Sequence, residues 1–189
     1  MIKLFFALVF ALVISFAAAG GHHAIDGVIE EGEYANSVTH EDSGSVYYWT
    51  VDGDMLYFGF VQEARGWVGI GWGDEISNRK AGFDVLIFTE QGGEFVALDM
   101  FQESARGEPV LDTDEGGSNS LVEWAVTRDG DVWTVEFVRP LDTGEDTDVA
   151  ITPGESMVFM GALATVMDPG RAHDRSGRGG AWYIEDFVF

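Results

Sequence analysis

Val46-Tyr47-Tyr48-Trp49-Thr50-Val51-Asp52-Gly53-Asp54-Met55-Leu56-Tyr57-Phe58-Gly59-Phe60-Val61 is the stretch that decides the fold. Two runs rich in β-branched and aromatic residues flank an Asp-Gly pair, and glycine in such a pair takes the positive φ that a tight hairpin needs. The pattern recurs twice. Gly92-Gly93 separates residues 83–89 from 95–101, and Asp129-Gly130 separates 121–127 from 132–138. Three hairpins are therefore expected. Further apolar runs at 67–72, 157–164 and 182–189 are bounded by glycine or charge, and no stretch after the leader keeps the apolar period of a long helix. Short strands at this spacing predict an all-β fold, an antiparallel immunoglobulin-like β-sandwich of about 9–11 strands.

Residues 1–19 read as a signal peptide. Lys3 supplies the positive start, residues 4–16 the apolar core and Ala17-Ala18-Ala19 the small-residue cleavage site. The apolar run is short for a membrane span. The expectation is a secreted or extracytoplasmic protein, free or associated with the cell surface, with no direct membrane insertion after cleavage and one domain over residues 20–189. Without Lys3 the formal charge moves from −23 to −24, and Lys80 becomes the only lysine. Such a surface repels phosphate backbones and anionic lipids, which argues against nucleic acid as a partner. It also matches a protein working in high salt, where screening removes the self-repulsion.

There is no cysteine. Disulfides, thiolate zinc sites, iron–sulfur clusters and c-type haem attachment are thereby excluded, and any metal or haem must be held by His, Met, Lys or carboxylates. Against the acidic background, five of the nine cations that remain without Lys3 fall in two short segments, Arg79-Lys80 and Arg171-x-His173-x-Arg175-x-x-Arg178. A local cationic island with a histidine at its centre suits an anionic ligand. In residues 66–73 glycine alternates with Trp, Val and Ile, which puts large side chains on one face and leaves the other bare for close approach by backbone or a flat ligand. The plain alternative is a glycine-rich bend at a sandwich corner.

Several segments taken together resemble the DOMON domain, the sandwich module of dopamine β-monooxygenase and of the cytochrome part of cellobiose dehydrogenase. They are Ile25-Asp26-Gly27-Val28, Tyr48-Trp49-Thr50-Val51, residues 66–73, Ala81-Gly82-Phe83-Asp84-Val85, Leu98-Asp99, Phe137-Val138-Arg139-Pro140-Leu141 with Asp148, and His173 ahead of the last strand. In haem-binding members a b-type haem lies at one end of the sandwich between a histidine, matching His173, and a methionine a few residues before the aspartate that matches Asp84. This chain has Lys80 four residues before Asp84. The resemblance thus implies haem b held by His173 and Lys80, by His173 with Met160 or Met167, or not at all. Arg171, Arg175 and Arg178 would face the propionates, and Trp67, Trp72 and Phe83 would wall the ring. The implied function is electron transfer with a redox partner protein at or outside the membrane, without catalysis by the domain itself. Two other readings stay open: a sugar or small-ligand module using the aromatic faces, and a structural or adhesion module.

Two lesser constellations stand beside this one. Asp112-x-Asp114-x-Gly116-Gly117 with Ser120 and Glu123 partly matches a calcium loop, though a solvated acidic loop explains it as simply. Cleavage after Ala19 would expose Gly20-Gly21-His22, whose amine, amides and imidazole can chelate Cu(II) in a square plane. His22 and His23 are expected to lie in a mobile N-terminal arm. His173, Asp174 and Ser176 are sequence neighbours, which does not make a catalytic triad.

The charge alone makes one prediction. With 33 carboxylates against nine cations and no disulfide, self-repulsion opposes the compact state until salt shortens the Debye length from about 30 Å at 0.01 M to about 3 Å at 1 M. The thermal midpoint should rise markedly between those conditions. A flat midpoint would show that the carboxylates are spaced widely enough to be harmless.

Overall fold

The structure, a computed structural model, describes residues 23–74, 80–105, 107–173 and 180–189; the leader expected over residues 1–19 lies outside them. Eleven strands form two antiparallel sheets. The five-stranded sheet runs β1 (Asn36–His40), β2 (Ser45–Asp52), β3 (Met55–Glu63), β9 (Val132–Pro140), β8 (Glu123–Asp129). The six-stranded sheet runs β11 (Ala181–Val188), β10 (Ser156–Leu163), β4 (Val68–Gly73), β5 (Phe83–Gln91), β6 (Glu94–Gln102), β7 (Val110–Leu111). Among the described residues the only helical turn is a 3-10 turn at Asp112–Asp114.

All three expected hairpins form, as β2–β3, β5–β6 and β8–β9. Their registers pair Asp52 with Met55, Gln91 with Glu94 and Asp129 with Val132. The two-residue loops are therefore Gly53-Asp54, Gly92-Gly93 and Gly130-Asp131, so in two of them the aspartate before the glycine closes the strand and the glycine opens the turn at φ 61°. Two strands escape the sequence pattern. In β1, Asn-Ser-Val-Thr-His lies at a sheet edge and buries too little to show an apolar signal, and β7 is two residues long.

Side chains from both sheets close an aromatic core. Phe58, Phe60, Phe88, Phe137 and Phe159 are fully buried, with Phe58 stacked on Phe137 at 5.4 Å and Phe159 on Phe187 at 4.6 Å. Offset and edge contacts of this kind add to the area term. One polar group inside the core is doubly partnered: the Tyr47 hydroxyl accepts from Gln62 Nε2 at 3.1 Å and from Trp182 Nε1 at 3.0 Å. The N-terminal arm is held down as well. Glu136 accepts from the backbone N–H groups of Asp26, Gly27 and Val28 and from the Tyr34 hydroxyl. The His23 ring lies 4.8 Å from Tyr57 and 5.4 Å from Tyr34, so at this residue the expected mobile arm is a packed one.

At one end of the sandwich a single cation ties the sheets together. Arg139 of β9, 1 % exposed, donates from Nη1 to Asp84 Oδ2 of β5 at 2.8 Å and from Nη2 to Asp148 Oδ1 at 3.0 Å. Its guanidinium lies 4.9 Å from the Trp72 ring centre, a cation–π contact out of water. Replacing it by leucine leaves Asp84 buried without a counter-charge, and the expected loss is about 3–5 kcal/mol, read as a lower denaturant midpoint at unchanged slope. A loss below about 0.5 kcal/mol would show that this pin does not hold the sheets.

Candidate functional site: a cavity on the outer face of the six-stranded sheet

Strand β5 is buried along both faces, unlike a strand with one wet side. Leu86 and Phe88 enter the core between the sheets, while Phe83, Val85 and Ile87 point outward. Val158, Met160 and Ala162 of β10, Met100 of β6, and Trp67 and Ala164 join them in a second apolar cluster. Between β5 and β10 runs β4, which sends Val68, Ile70 and Trp72 into the core and offers only Gly69, Gly71 and Gly73 outward. The glycines are required by space. A Cβ on Gly71 would stand 2.7 Å from the Asp84 carbonyl oxygen and 3.2 Å from the Met160 methyl, and one on Gly69 would stand 2.9 Å from the Leu86 carbonyl oxygen.

An apolar outer face must be covered, and two loops cover it. The β6–β7 loop brings Ala105, Gly107, Glu108 and Pro109, and the β10–β11 loop brings Pro169, Arg171, Ala172 and His173. Between loops and sheet lies a cavity of about 880 Å³, within the size range of small-molecule and cofactor sites. Trp67, Gly69, Val85, Ile87 and Ala162 form its apolar floor, and Lys80, Gln102, Glu108, Arg171 and His173 supply the polar rim.

The β10–β11 loop is fastened where β4 begins. Trp67 Nε1 donates to the Arg171 carbonyl at 3.2 Å, Trp67 N to the Val166 carbonyl at 3.1 Å, and the Thr89 hydroxyl to the Met167 carbonyl. Gly66 lies directly against the Val166 backbone, where any side chain would clash. The floor and the segment bearing Arg171 and His173 are thus joined by hydrogen bonds that all end on backbone carbonyls of the loop.

The structure brings Lys80, His173, Arg171 and Trp67 to one cavity, and Trp72, Phe83, Met160 and Met167 lie elsewhere. Trp72 is fully buried between the sheets, with Nε1 donating to the Val149 carbonyl at 3.1 Å. Phe83 belongs to the outer cluster but covers Gly73 and meets Tyr183 edge-on at 6.4 Å, away from the cavity lining. Met160 packs over Gly71 and Met167 against the inter-sheet core; neither borders the cavity. Arg175 and Arg178 lie outside the described residues. Gln102, Glu108 and the floor of Val85, Ile87 and Ala162 were not foreseen. The unbroken apolar run of β5 carried a usable signal, since a strand without alternation is covered on both sides.

Two rim groups have telling electrostatics. Burial lowers the Lys80 ammonium below its ordinary 10.5, because a desolvated amine favours its neutral form. Gln102 is fully buried; its Nε2 donates to the Ser104 carbonyl at 2.7 Å, while its Oε1 has no hydrogen-bond partner.

The family model of the DOMON domain matches residues 41–163. The chain belongs to the DOMON domain family. No curated protein sequence matches it. Among solved structures, this DOMON chain is similar to the cytochrome b domain of pyranose dehydrogenase from Coprinopsis cinerea, at 13% identity and a TM-score of 0.51, with 80% of this chain and 81% of that one covered. It is also similar to the cytochrome domain of cellobiose dehydrogenase from Myriococcum thermophilum, at 11% identity and a TM-score of 0.52, covering 82% and 88%. At these identities the likeness is one of fold. No helix among the described residues is long and apolar enough to cross a membrane.

The burial of Lys80 is directly measurable. The chain contains only one other lysine, Lys3, so reductive methylation with carbon-13 followed by NMR titration resolves Lys80 in a chain expressed without residues 1–19. Its titration should fall below 10.5, and a midpoint at or above that value would show an amine in full contact with water.

Proposed function

We propose that this DOMON domain binds a b-type haem in the cavity on its six-stranded sheet and exchanges single electrons with a redox partner protein at or outside the membrane, after export directed by residues 1–19. The observation that carries the reading is that Lys80 and His173, one from each cationic segment, line the same cavity. Both offer nitrogen donors suited to haem iron. A lysine ligates only when neutral, and burial already moves Lys80 in that direction.

Bound haem supplies a one-electron couple; what the chain adds is ligation, orientation and electrostatics. His173 and Lys80 would hold the iron in this reading. Arg171 on the rim compensates a propionate in a molecule otherwise rich in negative charge. Trp67 packs beside the bare face of β4, and the apolar floor keeps water from one side of the ring. Glu108 on the same rim opposes a second anion nearby, so the two propionates are held unequally. The strong acidity of the exterior favours a partner with a basic face, with association weakened by salt.

A second reading has its own support. Gln102 Oε1, Glu108 and the Trp67 ring are the set that would hold a sugar or another small polar ligand, with no redox chemistry.

Protein purified from a haem-replete host separates the two. The haem reading expects low-spin b-type bands that His173→Ala abolishes. Lys80→Met should retain them and shift the reduction potential upward, since methionine ligation raises it relative to nitrogen. A colourless protein that also fails to take up added haem would remove the reading, and binding on a glycan panel would then support the second. An unchanged spectrum and potential in Lys80→Met would show that Lys80 is no ligand.

A further inference from the structure

On the inner side of β5, facing away from the cavity, lies a set of buried oxygens that the proposed function does not use. Asp84, Asp99 and Asp148 each bring a carboxylate oxygen within 4.8 Å of the others. Asp112 joins them through the sheet: Met100 pairs with Leu111 in the β6–β7 register, which sets Asp112 beside Asp99. Asp84 and Asp112 are fully buried and Asp99 is 4 % exposed. Four carboxylates thus share one guanidinium, Arg139, which leaves three formal negative charges in excess inside the protein.

The hydrogen bonds do not absorb them. Asp84 Oδ2 accepts from Arg139 and from Val149 N, and Asp99 Oδ2 accepts from Ser120 N at 2.6 Å. Yet Asp84 Oδ1 and Asp99 Oδ1 are buried with no partner, the Asp112 carboxylate makes no well-formed hydrogen bond, and the Ser120 and Thr147 hydroxyls lie beside Asp99 and Asp112 within the same cluster. These oxygens belong to two strands, β5 and β6, and two loops that converge on them. The 112–120 loop meets the 142–148 loop through Ser118, whose N–H and hydroxyl both donate to Glu145, and a Cβ on Gly117 would touch Thr147 Oγ1 at 2.5 Å. Unpartnered buried carboxylate oxygens are costly unless a proton or a cation meets them.

We propose that Asp84, Asp99 and Asp148, with Asp112, Ser120 and Thr147 beside them, form a calcium site that clamps the 112–120 and 142–148 loops onto the inner edge of the six-stranded sheet. The donors are all hard oxygens, with no imidazole or sulfur among them, which selects against zinc and copper. Calcium takes six to eight oxygens in irregular geometry, and donors drawn from two strands and two loops suit it better than the strict octahedron of magnesium. Burial raises Asp84, Asp99 and Asp112 above the usual carboxylate range, Asp112 to about 7, as expected where negative charge lacks its counter-ion. Asp112 and Ser120 turn inward to the cluster, whereas Asp114 and Glu123 are exposed. The site stands whether or not the cavity holds haem.

The test begins with the full chain dialysed against EDTA at neutral pH. Calcium should raise the thermal midpoint in a saturable way, by roughly 5–10 °C at a hundredfold excess over Kd, while sodium chloride of equal ionic strength should not reproduce the saturation. Terbium added in place of calcium should show tryptophan-sensitised emission, because Trp72 stands opposite Asp84 across the β4–β5 ladder. Both responses should be lost in Asp112→Asn and in Asp99→Asn but kept in Asp114→Asn, the control on the same loop. No saturable calcium response in the parent chain, or a response unchanged in both inner variants, would overturn the proposal. Stability that instead climbs as pH falls through about 7, with no calcium effect, would assign the charge balance to protons and overturn it equally.

Discussion

One strand sets what each side of the six-stranded sheet can be. Because large residues and glycines alternate along β4, Val68, Ile70 and Trp72 complete the inter-sheet core while Gly69, Gly71 and Gly73 leave a bare track outside. The neighbouring strands then approach so closely that a methyl group on Gly69 or Gly71 would strike the backbone of β5. The outward side chains of β5 and β10 meet across this track as a second apolar surface. Such a surface is not left wet, and the loops that cover it bring Lys80, Arg171 and His173 to its edge. Core, floor and rim follow from a period-two pattern in a six-residue strand.

The opposite face of β5 carries the electrostatic counterpart. Asp84 points inward between Val85 and Phe83, which point outward, so the strand that floors the cavity also holds the partner of Arg139. A buried pair of this kind is weak as a source of net stability but severe when one member is removed. It joins β9 of the five-stranded sheet to β5 of the six-stranded sheet. The surplus of carboxylates around Arg139 keeps that end sensitive to whatever cation or proton is present.

Much of this was legible in the sequence. The hairpins were, because glycine pairs and β-branched runs are local signals, and so was the meeting of the two cationic segments. The aromatic wall was half legible: Trp67 and Trp72 are five residues apart, and an odd separation along an extended chain sends them to opposite faces, Trp67 to the cavity and Trp72 to the core. Phe83 has the parity of Val85 but lies one step further along β5, over Gly73. Two of the three turns lie one residue beyond the Asp-Gly pair, because Asp-Gly names the composition of a turn and not its register, which pairing fixes. The inward turn of Asp112 had no local signal at all, since it depends on β7 pairing with β6 and on Ser120 reaching Asp99.

The bare face of β4 acquires a function only if something occupies the space above it. Titrating haemin into the apo protein while following the Soret band, alongside an Ala162→Phe variant, measures this directly, because Ala162 is part of the cavity floor and is not a glycine under backbone strain. The result expected is saturation at one haem per chain for the parent protein and its loss in the filled variant at equal thermal stability. Saturable binding that persists unchanged in Ala162→Phe would contradict the assignment of the ligand to this cavity.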